Sequence, residues 1–370
     1  MNTDPHATKA GPLLIVQPYL TAYRLPVFAE IARHSGRVIL ASSPAPAQSG
    51  YGQPSIEGTG IERHVLLPEV RLLGGRLLWQ RGLVKLLWTS RPGKLLIAAN
   101  PRALSFWMAL LICRLLGIAC YSYGQGFYDK PHPPRWLVLV YRMLIASSRC
   151  YICYTASGVE SLRRQGIGGT LRVAENSLQL SAPTSPEEKS GTELGVLYLG
   201  RLREGCNLGL LIDSMAVARA DTALDLKLHV IGDGSFAAAL KAQYSRLEWI
   251  RWHGEMYEQA AVREIAQHCR VGCHPGDAGL SVVHFMGLSL IPLIHDRLDL
   301  HMGPEPSYVV DRVNGRRFVH AQAARSLPKV LVELFTAGGS EALSLKAFRS
   351  YQQLNEPSLG LRLLRILQAH

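Results

Sequence analysis

A glycine-containing loop at residues 274 to 279, His-Pro-Gly-Asp-Ala-Gly, has residue types that could bind a phosphate group. It follows a short apolar run, Arg270 to Cys273, and precedes Leu280 to Leu288, whose apolar residues have helical spacing. Leu290 to Ile294 is a second apolar run, typical of a parallel strand covered on both faces. Free backbone N–H groups and a helix dipole at such a loop favour an anion. An ordinary βα turn of an α/β domain has the same pattern, so both interpretations stay open.

The elements around this loop alternate in a way that predicts a parallel sheet. From residue 194 onward, short apolar runs are separated by stretches with helical spacing. We predict strands at 194–199, 226–231, 250–252, 270–273 and 290–294, and helices at 208–219, 236–244, 258–268, 280–288 and 321–336. Strand, helix and strand in this order form crossovers within one parallel sheet.

The first half of the chain begins with the same alternation. We predict strands at 13–16, 38–41, 94–98, 118–122, 151–154 and 170–173, and helices at 25–34, 104–116, 136–146 and 157–165. Two loops, Gln17 to Arg24 and Tyr123 to Phe127, follow strands, and open α/β sheets bind ligands at such ends. A solvated loop has the same composition, so a binding role for Tyr19, Thr21 and Arg24 stays open.

Two segments of the first half raise the question of a membrane. Arg71 to Trp88 interrupts Leu, Val and Trp with four basic residues, which predicts a basic amphipathic helix. Such a helix lies in a membrane interface or packs its apolar side on the sheet. Residues 104 to 121 approach the length of a transmembrane span, but Arg114 and the neighbouring strands favour a buried helix.

Composition fits a two-domain globular protein of 370 residues, with 48% hydrophobic residues and a net charge of +12. Residues 1–150 carry 17 Lys and Arg against 6 Asp and Glu, so the positive charge is concentrated there. This favours an anionic membrane or substrate, and without a zinc-finger or helix-turn-helix signature nucleic acid is not predicted. Residues 1–11 lack the apolar stretch of a secretory signal, and the seven cysteines lack paired metal-site spacing. We therefore expect a cytoplasmic protein with buried free thiols.

The second half resembles glycosyltransferase family 4, the retaining sugar-nucleotide enzymes of the GT-B fold, over its whole length. The matching segments are, in chain order, Gly200-Arg201-Leu202, Gly232-Asp233-Gly234, His253-Gly254-Glu255-Met256, Gly279-Leu280, Met286, Pro292-Leu293-Ile294 and Asn314-Gly315. In the first half, residues 145–176 resemble the family's closing run of strand, helix, Gly-Ile and Asn. The resemblance implies an α/β protein of GT-B type, with two Rossmann-like, doubly wound domains facing a cleft.

On this basis we expect an acceptor-side domain at 1–177, a linker at 178–191 and a nucleotide-sugar domain at 192–340. The polar, proline-containing composition of 178–191 supports the linker. We expect the leucine-rich tail, 341–370, to form a C-terminal helix that packs back on the first domain.

The resemblance also implies roles for individual residues. Arg201, Asp277 and His284 are the candidate catalytic residues, and the forked guanidinium of Arg201 suits a diphosphate. Donor binding is expected from Gly200, Arg203, Gly234, His253, Gly254, Glu255, Met256, Gly276, Ala278, Gly279, Leu280, Ser281 and Glu305. The acceptor side is expected to include Tyr19, Thr21, Arg24 and Gln125.

The chain departs from the family pattern at the donor glutamates. Gly276 stands at the first glutamate position, with Asp277 beside it, and His284 stands at the second. A histidine accepts hydrogen bonds from a ribose less strongly than a carboxylate does. Glu305, in Gly303-Pro304-Glu305, is another candidate ribose partner. Some relatives carry a similar pattern, which indicates a subfamily.

A third departure concerns the diphosphate. Cys206 stands where the family has a lysine, and Arg203 would substitute for that lysine if its side chain points inward. The resemblance implies that a UDP-, GDP- or other nucleotide diphosphate sugar is the donor, with no cofactor and no essential metal. The expected acceptor is a glycan or lipid-linked glycan, in bacterial surface polysaccharide assembly at the inner face of the membrane.

Two alternatives come from other function classes. A catalytically inactive GT-B scaffold or membrane-associated binding protein is favoured by the three altered site positions. An epimerase of the same architecture is disfavoured, because its expected carboxylate and histidine bases are not evident.

Overall fold

The computed structural model describes residues 11–46, 54–127, 132–189, 191 and 193–369. The expectation that the first eleven residues hold no secretory signal falls almost wholly outside these ranges. The chain divides into two compact units, one formed by residues up to Glu175 together with those from Ser358, the other by Asn176–Pro357.

The helices and strands up to Glu175 are, in order, β1 (Leu13–Tyr19), α1 (Leu25–Ser35), β2 (Val38–Ser43), β3 (Arg63–Leu66), β4 (Glu69–Leu72), β5 (Leu77–Gln80), α2 (Leu83–Ser90), β6 (Lys94–Ala98), α3 (Leu104–Leu116), β7 (Ala119–Gly124), α4 (Arg135–Ser147), β8 (Cys150–Cys153), α5 (Ala156–Arg164) and β9 (Leu171–Val173).

From Asn176 the chain continues with β10 (Gly195–Leu199), α6 (Leu208–Thr222), β11 (Lys227–Ile231), α7 (Ala237–Gln243), β12 (Ile250–Gly254), α8 (Gln259–Gln267), β13 (Cys269–Cys273), α9 (Ser281–Gly287), β14 (Ile291–His295), β15 (Arg316–Phe318), α10 (Ala323–Thr336), α11 (Ser340–Asn355) and α12 (Leu359–Gln368). Short 3-10 helices lie at Leu73–Gly75, Pro186–Glu188, Leu298–Leu300, Glu305–Tyr308 and His320–Gln322.

The first unit is a seven-stranded parallel sheet in the order β3-β2-β1-β6-β7-β8-β9. Its central strands β1, β2, β6, β7 and β8 are mostly buried, because helices cover both faces: α2 to α5 pack on one face, and α1 and α12 on the other. The chain starts in the middle of the sheet at β1 and later resumes beside it at β6. The carboxyl ends of β1 and β6 therefore form the switch point where ligands bind in such sheets.

The second unit is a six-stranded parallel sheet in the order β12-β11-β10-β13-β14-β15. Helices α6, α7 and α10 cover one face, while α8, α9 and α11 cover the other. Its switch point lies between β10 and β13. The predicted α/β class with two doubly wound sheets is confirmed.

The prediction of one amphipathic helix over Arg71 to Trp88 is wrong. This segment contains the end of β4, a tight turn and β5, which pair as an antiparallel hairpin, followed by the short helix α2. Gly74 and Gly75 have φ values of 64° and 86°, a left-handed conformation that glycine adopts at low cost. The two glycines therefore form the turn between β4 and β5.

After β14 a 3-10 helix ends at Tyr308, and β15 follows the Asn314-Gly315 turn. Two smaller expectations also differ from the structure. The tail is two helices instead of one: α11 packs against α9, and only α12 packs against α1. The segment 178–191 is anchored in the second unit, because Leu178 and Leu180 are buried in its core.

Candidate functional site

The carboxyl ends of three strands in the second unit are drawn together by glycines. The N–H of Gly200, just after β10, donates to Ile231 at the end of β11 (3.1 Å), and the N–H of Gly232 donates to Gly254 at the end of β12 (2.7 Å). A Cβ atom on Gly232, whose φ is 138°, would lie 1.9 Å from the Gly200 carbonyl oxygen. The strand ends thus approach more closely than any side chain would allow.

Arg201 directly follows Gly200 at the carboxyl end of β10, and its side chain is exposed. Its carbonyl oxygen accepts a hydrogen bond from the Tyr198 hydroxyl (3.2 Å). The Tyr198 ring also packs on the His274 ring, at the end of β13, with 5.2 Å between centroids. The segment that carries Arg201 and the loop at 274–279 are therefore neighbours across the switch point.

The loop at 274–279 fits against the loop after β10 backbone to backbone. The Asp277 N–H donates to the Gly205 carbonyl (3.0 Å). A Cβ atom on Gly276 would lie 1.9 Å from that same carbonyl oxygen. A side chain in place of the hydrogen of Gly276 would separate the two loops. This close contact gives a physical reason for glycine where the family has a glutamate.

Arg203 and Asp277 bind each other. Nη2 of Arg203 lies 2.8 Å from Oδ2 of Asp277, and the same nitrogen contacts the Met302 sulfur (3.3 Å). Arg203 Nη1 donates to the Glu204 carbonyl (2.9 Å). The other Asp277 oxygen, Oδ1, is buried and accepts no hydrogen bond from any residue within the described ranges. The arginine expected on the diphosphate and the carboxylate expected on the sugar thus form one ion pair with an open acceptor oxygen.

The backbone N–H of Ala278 points away from the open side of the loop. It donates to Nδ1 of His301 (3.1 Å) and to the Gly276 carbonyl (2.9 Å). The expectation that this amide binds phosphate is therefore not supported by its direction. Within the parts of the chain that the structure describes, the N–H groups of Gly279, Leu280 and Ser281 donate no hydrogen bond. These three amides are the available donors of the loop.

His301 is fixed in one tautomer by its two partners. Its Nδ1 accepts from Ala278, so the proton is on Nε2, which donates to the His295 carbonyl (3.2 Å). Its ring stacks on that of His295 with 3.7 Å between centroids. Burial lowers the pKa of His301 to about 4 and that of His295 to about 3. Both rings are therefore neutral near neutral pH, and His301 remains an acceptor for the loop.

Helix α9 presents Ser281 and His284 on the side away from its buried residues, Val282, Val283, Phe285 and Met286. Burial lowers the pKa of His284 to about 4, so its imidazole is neutral. The Ser281 hydroxyl oxygen is buried and has no hydrogen-bond partner among the residues that the structure covers. Both side chains can form hydrogen bonds with a polar ligand at the start of this helix.

Glu305 lies beneath the loop. It is buried, and its Oε1 accepts a hydrogen bond from the Asn176 side-chain amide. A Cβ atom on Gly303 would lie 2.2 Å from its Oε2, and one on Gly279 would lie 3.9 Å from it. The carboxylate therefore approaches the loop from inside the unit. Asn314, in the late Asn-Gly turn, binds Val310, Tyr308 and Ser350, which is a structural role.

At the end of β12, His253 pairs with His229 of the neighbouring strand β11. His253 Nε2 lies 3.1 Å from Nδ1 of His229, and the rings are parallel. Burial lowers the pKa of both rings, to about 4 for His229. Glu255 is exposed and accepts from the Tyr257 hydroxyl (3.1 Å), while Met256 packs on the core beneath. Gly234, in the loop after β11, has no room for a side chain, because a Cβ atom would lie 2.4 Å from the Leu202 carbonyl oxygen.

The first unit has its own pocket, of about 340 Å³, at the switch point between β1 and β6. It is lined by Pro18, Tyr19, Glu69, Arg71, Gly75, Leu78, Asn100 and Arg102. The Tyr19 hydroxyl donates to Glu69 (3.4 Å), which also pairs with Arg71 (3.6 Å). Of the four predicted acceptor residues, the structure places Tyr19 in this lining and Thr21, Arg24 and Gln125 outside it.

The hairpin β4–β5 explains why the sequence analysis missed most of this lining. Glu69 and Arg71 lie on β4, a strand that the sequence pattern did not predict, because Arg71 was expected to begin a helix. Asn100 and Arg102 directly follow β6, and a polar residue at the end of a parallel strand is a signal that could have found them.

All seven cysteines are buried and free. Burial raises the pKa of Cys150 to about 11 and of Cys153 and Cys269 to about 12, so these groups are thiols rather than thiolates. Among the described residues, no group of three or more His, Cys, Asp or Glu is arranged to hold a metal ion.

Comparison with known proteins gives a fold and no family. No protein-family model matches the sequence, and no curated protein matches it. Solved structures do match. HepE (Alr3699) of Anabaena, in complex with UDP and glucose, superposes with a TM-score of 0.70 at 12% identity, over 97% of this chain and 100% of HepE. The fold is GT-B.

Two further neighbours have the same architecture. A glycosyltransferase of Rickettsia africae gives a TM-score of 0.69 at 12% identity, over 98% of each chain. The pneumococcal O-GlcNAc transferase GtfA, in complex with UDP and GlcNAc, gives 0.67 at 9% identity, again over 98% of each chain. These neighbours share the fold across nearly the full length of the chain, which confirms the predicted GT-B class.

Proposed function

We propose that this protein is a glycosyltransferase that moves a sugar from a nucleotide diphosphate sugar to a hydroxyl group of a glycan. The observation that carries the proposal is the meeting of two loops at the β10/β13 switch point. One loop carries Arg201 and the other carries three unengaged backbone amides, at Gly279, Leu280 and Ser281. Cation and amide donors on one edge of a sheet suit a diphosphate.

Each neighbouring group has a matching role in this proposal. Arg201 and the open amides bind the diphosphate and stabilise the negative charge that develops on it as the sugar leaves. The free Oδ1 of Asp277 accepts a hydrogen bond from a hydroxyl of the transferred sugar. Neutral His284 and the Ser281 hydroxyl, both on α9, form hydrogen bonds with the ribose or the transferred sugar.

The donor is proposed to be a uridine nucleotide sugar. UDP is bound in HepE and in GtfA, and UDP-glucose is bound in another HepE complex. We propose His253 to Met256, at the end of β12, as the segment that holds the base. The proposed reaction retains anomeric configuration and needs no metal, with an oxygen of the leaving phosphate taking the acceptor proton.

The acceptor is proposed to bind in the pocket of the first unit, around Tyr19, Asn100 and Arg102. Its polar lining suits a hydroxylated ligand with some negative charge, such as a glycan of a cell-surface polysaccharide. WaaB, a lipopolysaccharide outer core galactosyltransferase, is among the structural neighbours, with a TM-score of 0.58 at 14% identity over 93% of this chain and 99% of WaaB.

A panel of nucleotide sugars tests the proposal. One member should raise the melting temperature selectively, because a ligand that binds only the folded state stabilises it. The same nucleotide sugar should release its nucleoside diphosphate faster when candidate glycans are added, and proton NMR of the product should show the donor's anomeric configuration. Inversion would contradict the proposed stereochemistry, and the lack of a shift with every member would contradict donor binding.

The inactive binding protein is the second candidate function. It is favoured by Gly276, His284 and Cys206, which stand where the resembled family has two glutamates and a lysine. A selective shift in melting temperature without turnover on any glycan would support this candidate over the enzyme. A selective shift with turnover would exclude it.

A further inference from the structure

The first unit contains a long stretch that is almost free of acidic residues. Residues 70–159 hold 12 Lys and Arg and a single acidic residue, Asp129. Helices α2, α3 and α4 all lie in this stretch. A surface built from them is strongly cationic, and little within the stretch neutralises it.

The same helices carry unusually exposed apolar side chains. On α3, Leu111 is 50% exposed and Leu115 is 75% exposed, one helical turn apart. On α4, Trp136, Leu139 and Met143 are each more than half exposed and follow helical spacing. Seven of the twenty large apolar side chains that are exposed in the described residues lie on these two helices. Such a concentration marks an interaction surface rather than ordinary scatter.

The exposed side chains belong to one face of the unit. Helices α2, α3 and α4 pack on the same side of the sheet, with Leu86, Phe106 and Leu144 in one core cluster. Helix α3 contacts both α2 and α4. Their outward sides are therefore neighbours. We call this surface the apolar basic face: Trp88, Leu111, Leu115, Trp136, Leu139 and Met143, with the exposed cations Lys85, Arg114, Arg135 and Arg142.

We propose that the apolar basic face docks this protein on an anionic lipid bilayer, with its apolar side chains in the headgroup region. Tryptophan, leucine and methionine transfer favourably to the interface, while Lys and Arg extend toward anionic headgroups. No helix within the described ranges is long and apolar enough to cross a membrane. This inference does not depend on the proposed enzymatic function.

Charge decides between a bilayer and a second copy of the chain. In a symmetric dimer through this face, the arginines of one copy would meet those of the other. Like charges in a buried interface are destabilising, and no acidic side chain within the apolar basic face compensates them. An anionic bilayer complements both the charge and the apolar side chains.

The apolar basic face also bears on the segment Arg71 to Trp88, for which a membrane interface and packing on the sheet were both open. Only Lys85 and Trp88 of that segment belong to the apolar basic face. The apolar contribution comes mainly from α3 and α4; the sequence favoured a buried helix for α3. Each of these two helices buries one side on the sheet and exposes another.

Co-sedimentation of the full chain with vesicles tests the proposal. Binding should be strong with mixed phosphatidylcholine and phosphatidylglycerol, weak with phosphatidylcholine alone, and weaker as salt is raised. The double variant L111S/L115S and the single variant W136S should each bind about tenfold less tightly. V217S/V310S, at two exposed valines of the second unit, is the matched control and should bind like the parent.

Charge reversal provides a second, independent arm. R135E/R142E should lose its preference for phosphatidylglycerol, whereas R246E, an exposed arginine that precedes β12, should keep it. All variants should melt like the parent, because the altered side chains are exposed. Equal binding by L111S/L115S and the parent would overturn the proposal. So would a parent dimer in sedimentation equilibrium that L111S/L115S dissolves, which would assign the face to self-association.

Discussion

The guanidinium of Arg203 and the carboxylate of Asp277 lie 2.8 Å apart and join the loop after β10 to the loop after β13. Their side chains are 32% and 23% exposed, so water screens the pair partly. The main effect of the pair is positional: it holds the two halves of the proposed diphosphate site together while leaving Asp277 Oδ1 open.

A double-mutant cycle of R203A and D277N measures this link. We expect each single change to weaken UDP binding, and the coupling between them to be about 0.5–1 kcal/mol, modest because the pair is partly exposed. Isothermal titration calorimetry with UDP provides the binding free energies, and uridine, which has no phosphate, is the control ligand. Additive effects of the two changes would show that the ion pair does not organise the site.

Two glycines of one loop should respond differently to alanine. G276A places a Cβ atom 1.9 Å from the Gly205 carbonyl oxygen and should lower the free energy of unfolding by about 1–3 kcal/mol. G279A is the matched control, since its Cβ atom would meet the flexible end of Met302 at 3.4 Å and Glu305 Oε2 at 3.9 Å, which are both ordinary contacts. Chemical denaturation compares the two. Equal stability of both variants would contradict the backbone-to-backbone contact of the loops.

His301 should act as a positioning residue for the loop. H301F keeps a ring that can stack on His295 but removes the histidine acceptor of the buried Ala278 N–H, a loss of about 0.5–1.5 kcal/mol because that N–H keeps the Gly276 carbonyl. We expect weaker UDP binding in H301F and partial recovery in H301Q, whose side-chain oxygen can accept. UDP affinity in H301F equal to that of the parent would show that the loop needs no such support.

Stability should fall as the pH is lowered from 7 toward 4.5. Burial lowers the pKa of His274 and His295 to about 3 and that of His301 to about 4. An unfolded histidine titrates near pH ~6.5, so below this pH the unfolded chain binds more protons than the folded one. The stability that the neutral rings contribute is fully present above the unfolded pKa. It is lost as the pH falls toward the folded pKa values. Denaturation of the parent and H301F across this range should show a smaller fall in the variant, and an equal fall would contradict the assignment.

Much of the fold follows from local sequence. The strand at Lys94–Ala98 and the helix at Leu104–Leu116 have the predicted bounds. Apolar runs of strand length alternate with amphipathic stretches, and Gly117, with φ of 69°, ends α3 in a left-handed conformation. These signals act within a few residues and are therefore readable without the structure.

The site was predictable only in part, because its details depend on contacts between distant residues. The pattern indicated that Arg201 and the loop at 274–279 belong to one sheet edge. It could not indicate that Arg203 would pair with Asp277, or that His301 would turn the Ala278 amide inward from 23 positions further along the chain. The hairpin at Glu69–Gln80 was not predicted, because two glycines between apolar residues are compatible with both a hairpin turn and a weak helix.

The central claim is that Arg201 binds the diphosphate of a nucleotide sugar at the β10/β13 switch point. Calorimetric titration of UDP into the parent, R201A and R246A tests it most directly, with R246A as the control at the opposite, amino-terminal edge of the sheet. The account predicts that R201A, while melting like the parent, binds UDP at least about tenfold more weakly, a loss of about 1.4 kcal/mol, and that R246A binds normally. Parent-like UDP affinity in a folded R201A would contradict the claim.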